Sequence, residues 1–346
     1  MSGLARPLDP ARTRSALVAA AAVAASAWSG SAWAVPAFAV QTGQPCQACH
    51  VGGFGPQLTP FGRSFKLHGY TTRATAFNVP LATMAVASYV HSAKAQAAPP
   101  ADGFHTNDNL ALDQVSLFLA GGLGSHLGAF VQATYDGVAK AWAWDNVDVR
   151  AVTDLTIKDQ DVLLGVSLNN SPTVQDPWNT QGAWAYPYTD SALWPAPSAA
   201  PLLSGALAQT SLGVTGYAWI NSTWYAEMGG YGSPGAGMLT RLGADPLSPG
   251  DIRKVAPYVR LGVQKSFGPQ TVQAGVIGML ADIYPERDQS AGTWDRYADV
   301  GVDGSYQLTR QNGDVVTLNA RYLHERQGLK ASQALGLSQN SRVTLS

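Results

Sequence analysis

The sequence predicts an all-β protein and, within that class, an antiparallel transmembrane β-barrel. Three observations carry this. Only 13% of the 346 residues are charged, against roughly 25% in ordinary soluble domains. Past the N-terminus, no apolar run approaches the ~20 residues that a membrane-spanning helix needs. From Asn78 onward, segments alternating with period two are joined by short and long connections in strict turn. The same composition excludes other classes. A disordered chain would be rich in charge and poor in aromatics. A nucleic-acid binder would carry a basic cluster, whereas this chain has a net charge of −1 and none.

The first element is an export signal. Arg6, Arg12 and Arg14 precede the apolar stretch Ala16 to Trp28, and Ala32-Trp33-Ala34 supplies the small residues of a cleavage site. Residues 1–34 are read as a signal peptide, which places the rest of the chain in a bacterial envelope.

The second element, residues 35–75, holds the only two cysteines. Cys46-Gln47-Ala48-Cys49-His50 is the C-x-x-C-H pattern of covalent haem attachment. Two thiols at this spacing add to the two vinyl groups of one porphyrin, and the adjacent imidazole reaches the iron from the proximal side. A thioredoxin-like pair would need a βαβ context, and a zinc site would need more ligands. A simple disulfide is the plainest alternative. The expected cofactor is one haem c, bound by Cys46, Cys49 and His50. The sixth ligand is open: His68 is the nearest imidazole and Met84 the nearest thioether, and a site without a protein sixth ligand is also compatible. At about 40 residues this segment is too small to bury its own core, so it is expected to sit inside the barrel, sheltered by the wall.

The third element, residues 76–346, is the barrel. Period-two alternation is clearest in Asn146–Ala151, Arg260–Gln264, Val272–Val276 and Val316–Tyr322. Short connections fall at 121–125, 158–161, 220–222, 268–269 and 309–313. Longer ones fall at about 91–106, 137–143, 169–204, 233–252, 283–294 and 327–339. That is the short-periplasmic-turn, long-external-loop pattern of outer-membrane barrels. A soluble β-sandwich is the competing all-β form, but it has no need of this alternation. One face of the strands carries Asp148, Arg150, Arg260, Asp299, Asp303, Asn319 and Arg321, read as lumen-facing and either a solvated interior or an ion path. Loop 169–204, with Trp178, Trp184, Tyr186, Tyr188 and Trp194, is read as a long barrel loop with interface aromatics, or as a lid, plug or partner contact. Residues 340–346 read as a strand begun and not completed, so the barrel is expected to be C-terminally incomplete in this chain.

Residues 36–72 resemble the head of the fused outer-membrane monohaem cytochrome c–porins of iron-oxidising bacteria. The resemblance rests on the haem motif, on Gln41-Thr42-Gly43, and on Phe61-Gly62-Arg63, Phe65-Lys66 and Gly69-Tyr70 around it. It implies electron transfer across the outer membrane, from extracellular Fe(II) or another donor to a periplasmic carrier such as a soluble cytochrome, with an Fe(II) oxidoreductase as the corresponding enzyme reading. His50 matches the proximal ligand, and the family's barrel of about sixteen strands implies that about 12 of roughly 16 are present in this chain. His68 is the distal candidate only as the nearest imidazole in sequence, since it falls at a variable place of the family pattern. The alternatives are a porin-like channel whose haem segment gates or senses, and a soluble periplasmic cytochrome fused to a β-domain.

Overall fold

The computed structural model describes residues 36–53, 55–74, 80–178, 191–194 and 201–346. The expected signal peptide, along with Trp184, Tyr186 and Tyr188, lies outside the described residues. The chain is all-β in its main body. Its strands are β1 (Leu81–Val90), β2 (Asn109–Gly122), β3 (Leu127–Asp136), β4 (Ala141–Ile157), β5 (Gln160–Asn169), β6 (Leu212–Ile220), β7 (Trp224–Gly232), β8 (Asp251–Ile252), β9 (Ala256–Phe267), β10 (Gln270–Tyr284), β11 (Asp295–Thr309), β12 (Val315–Gly328) and β13 (Arg342–Leu345). They form one antiparallel sheet in sequence order, with short β8 paired beside β10 off the main path. No pairing joins β1 to β13 among the described residues, so the sheet is open.

The connections fall where the sequence places them. The turns 158–159 and 268–269 are two residues each, and the hairpins at 123–126, 221–223 and 310–314 are nearly as short. Two features depart from the expectation. Connection 233–252 contains β8 and a short helix, because its apolar Ile252 and Leu239 are buried. Loop 169–204 extends to Ser211, and its described parts are buried for the most part: Val174, Trp178, Leu193, Leu202, Leu203 and Leu207 are all 5% exposed or less, although Trp194 is not.

Alternation explains the sheet's two faces. Leu261, Val276, Val302 and Tyr322 lie side by side across β9 to β12, and all four are exposed. One residue along, Glu227 and Arg260 lie opposite each other and are buried. A soluble sheet hides its apolar face and wets its polar one; here the arrangement is reversed. Exposed aromatics stand near both ends of the strands: Trp224 and Phe267 beside short turns, Tyr89 and Trp142 beside long loops.

The sheet rolls around residues 36–74. Gln41 bonds to Gly122 of β2, and Arg63 bonds to Gln307 of β11. Those strands are eight steps apart in the sheet order, about 38 Å if the sheet were flat. Yet Phe38 and Phe65, each close in sequence to one of these anchors, have ring centroids 5.0 Å apart. Only a strongly curved sheet reaches both sides of so small a body.

Three layers fill the inside. Near the short turns lies the N-terminal head. In the middle is an ionic layer, where Arg150 bonds Asp148 at 2.9 Å and Arg260 lies 3.0 Å from Asp303 and 3.5 Å from Asp176. Near the long loops, Leu202, Leu203 and Leu207 pack on Tyr231, Tyr258 and the inward residues of β10. Asp148, Arg150, Arg260, Asp299 and Asp303 face inward as expected, but Asn319 and Arg321 are exposed. β13 pairs β12 only over Glu325–Gly328, leaving the lower part of β12 at a sheet edge.

Candidate functional site

The head consists of helices α1 (Pro36–Thr42), α2 (Cys46–Cys49) and α3 (Pro60–Leu67). Pro36 and Pro60 open α1 and α3, where a missing N–H is harmless and the fixed φ suits a helix. Cys46 and Cys49 stand three residues apart, so one turn of helix brings both thiols to the same side. They are half-buried and not joined in a disulfide.

His50 leaves the helix at once. Its backbone is extended and forms a β-bridge with Leu58, while Val51 N donates to Gln57 O at 2.9 Å. Thr59 then ties the motif to α3. Its amide donates to Cys49 O at 2.9 Å, its hydroxyl donates to Ala48 O at 2.5 Å, and the same hydroxyl accepts from Gly62 N as the helix cap. α3 touches Cys49 at Gly62, where any Cβ would run into the Cys49 backbone. Leu58 O, on the strand partner of His50, receives Arg63 Nη1 at 2.7 Å and Gln307 Nε2 of β11 at 3.1 Å. The His50 backbone is thereby tied to the wall through one carbonyl.

Burial, with Cys46 close by, pushes the Cys49 thiol up to about 11. Burial also holds His50 below its ordinary value, opposed in part by the Gly55 backbone, which favours the neutral ring, the form that ligates iron. Its Nδ1 is buried with no close hydrogen-bond partner among the described residues. Paired thiols beside a histidine with a fixed backbone form a donor set that could hold a covalent haem. Among those residues, no group of three His, Cys, Asp or Glu gathers as a metal-ion site. A porphyrin supplies four ligands itself and needs no such group.

His68 stands at the far end of α3. Its Nδ1 lies 2.7 Å from Ser64 O, its Nε2 lies 3.5 Å from Asp154, and its ring meets Trp219 edge-on. Both nitrogens are turned to Ser64 and the wall. Met84 faces inward with Phe38, Phe118 and Phe130.

The remaining residues of the resemblance fasten the head. Gln41 is 1% exposed, donates to Tyr70 O and Thr72 O, and accepts from Gly122 N. Tyr70 donates to Asp148 at 2.6 Å. Gly69, at φ 64, places its carbonyl where a side chain on Gly128 would stand. Lys66 donates to Val174 O at 2.6 Å and Asp176 O at 3.3 Å, joining the head to loop 170–211. Leu67 is fully buried among Val152, Leu163, Trp178, Tyr217 and Trp219, and its carbonyl receives the Tyr217 hydroxyl at 2.5 Å.

The sequence reading missed the wall partners Gln307, Tyr217 and Gly122. Only the Gly121-Gly122 pair, unusual at a strand end, carried any signal. No family model, curated protein or solved structure matches the chain, so the reading of the site rests on its residues and their geometry.

Proposed function

We propose that the chain is an outer-membrane cytochrome of the fused cytochrome–porin type, moving single electrons across the envelope through a haem c held by Cys46, Cys49 and His50. The observation that carries this reading is the setting of the haem motif. It lies in a head packed against the inward face of a curved, open sheet whose outward face is apolar and whose inward face carries a buried ionic layer.

Each part has a physical reason. An apolar exterior with aromatics near both ends suits a lipid belt flanked by two interfaces. A bound haem supplies a one-electron iron couple. The protein's own share is to hold the thiols on one helical turn, to fix the His50 backbone through Leu58, and to exclude water by packing α3 against the wall. The buried, mutually paired charges Asp148, Arg150 and Arg260 leave no solvated ionic path at their level, which counts against the channel alternative. Extracellular Fe(II) fits as donor, because its oxidised product precipitates near neutral pH and is best formed outside the cell; a periplasmic cytochrome fits as acceptor.

The test is to purify the full chain in detergent, add Fe(II) anaerobically, and follow the reduced haem bands. Their appearance at near-neutral pH supports the reading. Unchanged bands remove Fe(II) as donor, and absence of covalent haem removes the cytochrome. A detergent-free soluble chain removes the membrane.

A further inference from the structure

The outward face of β11 to β13 carries a groove whose chemistry changes along its length. At the long-loop end it has a volume of about 540 Å³ and is lined by Arg296, Arg326, Lys330 and Arg342 together with Trp294. No carboxylate lines it. The register explains the shape. Gly328 lies between Arg296 of β11 and Arg342 of β13, so two arginines flank a position with no side chain. With neighbouring strands about 4.8 Å apart, their backbones stand roughly 10 Å from each other. Arg326 lies two residues along β12 from Gly328, and alternation puts it on the same face. Arg296 is also held by Asp282 at 2.8 Å, so the lining cations outnumber the one acid beside them. Arg253 sits 3.6 Å over the Trp294 ring at the border of the groove.

Below this basic end the groove continues into a second one of about 610 Å³, sharing Ala298 and Arg326 and otherwise lined by Val300, Gly301, Val302 and Tyr322, with His324. Val300, Val302 and Tyr322 belong to the exposed apolar face. A basic cup above an apolar trough is complementary to an amphiphile with an anionic head. Arginine forks match phosphate oxygens in pairs. Long basic side chains keep their charges at a lipid interface while their stems lie along the apolar part.

We infer that this groove binds a phosphorylated lipid of the surrounding leaflet, its phosphate held by Arg296, Arg326, Lys330 and Arg342 and an acyl chain lying over Val300, Val302 and Tyr322. The inference rests on the membrane reading above and adds a specific lipid site to it. Nothing in the head takes part.

The experiment uses the full chain in detergent, first checked for whether it needs detergent to remain monodisperse. It is then incubated with diphosphoryl lipid A, with the same lipid after dephosphorylation, or with lipid A plus inorganic phosphate, and retained lipid is counted by native mass spectrometry. Wild-type protein is expected to retain lipid A at least about tenfold more than the triple variant Arg326→Gln, Lys330→Gln, Arg342→Gln, and about tenfold more than it retains dephosphorylated lipid. Equimolar inorganic phosphate leaves the lipid in place. A second variant, Ala298→Trp, fills the trough without touching a charge and is expected to lower retention as well. Unchanged protease resistance of the strands in detergent certifies that the variants are folded. Equal retention of lipid A by wild type and both folded variants overturns the site, as does displacement by phosphate alone. A chain that stays monodisperse without detergent overturns the membrane reading first. A chain that needs detergent yet shows no phosphate preference overturns the lipid site alone.

Discussion

Replacing Lys66 by methionine tests the joint between the head and the loop. The Lys66 ammonium donates to two carbonyls of that loop and feels Asp148, Arg150, Asp176 and Glu227 around it. Burial outweighs the three carboxylates and pushes its pKa from an ordinary 10.5 down to about 8. Between those values the unfolded chain holds a proton that the folded chain has released, so stability rises with pH across that window. The full gap corresponds to something on the order of 3 kcal/mol. The side chain is half-buried, so screening brings the expected figure to about 2 kcal/mol. Methionine keeps the stem and removes the titration. The assay is denaturant unfolding of the detergent-solubilised chain, followed by tryptophan fluorescence at a series of pH values. The wild-type stability minus that of Lys66→Met is expected to be flat below about pH 7.5 and to climb by about 2 kcal/mol toward pH 10.5. A flat difference throughout would refute the burial of the ammonium. A difference falling with pH would mean that the carboxylates, not desolvation, set its charge.

Three other outcomes follow from the site. Cys46→Ser and Cys49→Ser each remove one thiol, and the double variant is expected to release any haem it carries to acidified organic solvent; haem surviving extraction there would exclude these thiols as the attachment. Gly62→Val drives a branched side chain into the Cys49 backbone, with an overpacking cost of about 1–3 kcal/mol, and should lower the fraction of chains carrying covalent haem, measured by absorbance per protein. Gln307→Leu leaves Leu58 O with one donor fewer and Arg63 Nη1 without its side-chain acceptor, at about 1–3 kcal/mol; faster proteolysis within residues 36–74, with the strands still protected, is the expected sign.

The strands were legible because their signal is local and repeated. An alternation such as Val272, Ala274, Val276 fixes a face in five residues, and Gly268-Pro269 marks a turn without help from elsewhere. The Cys46-to-His50 spacing is local in the same way, and the structure sets both thiols on one helical turn. What stayed hidden is non-periodic or distant. β8 is two residues long and pairs a strand about thirty positions away. The inward course of loop 170–211 follows from Lys66, Arg150 and Glu325, which reach its backbone from three other parts of the chain, and no pattern within the loop announces it. Gln307 and Tyr217 are single positions, 249 and 150 residues from the head carbonyls they bind. Asn319 and Arg321 share the parity of Asp303, but parity says which way a side chain points and not whether a neighbouring strand covers it.

The buried charges decide between the two ways of reading a polar interior. A conducting lumen keeps its ionic side chains in water, where they cost little. Here Asp148, Arg150 and Arg260 are inaccessible to solvent, and stripping charges of water is costly unless each is answered. Each one is. Arg150 meets Asp148 and the Gln175 carbonyl, Asp148 also receives Tyr70 and Ser167, and Arg260 lies between Asp176 and Asp303. Two of these partners, Asp176 and Gln175, come from the long loop, and Tyr70 comes from the head. The network therefore spends its charge on fastening two inserted segments to the wall, which is the opposite of what an ion path requires. Removing one member would leave its partner buried and unanswered, at about 3–5 kcal/mol, so Asp148→Asn should loosen head and loop together, whereas in a solvated pore the same change would alter only conductance.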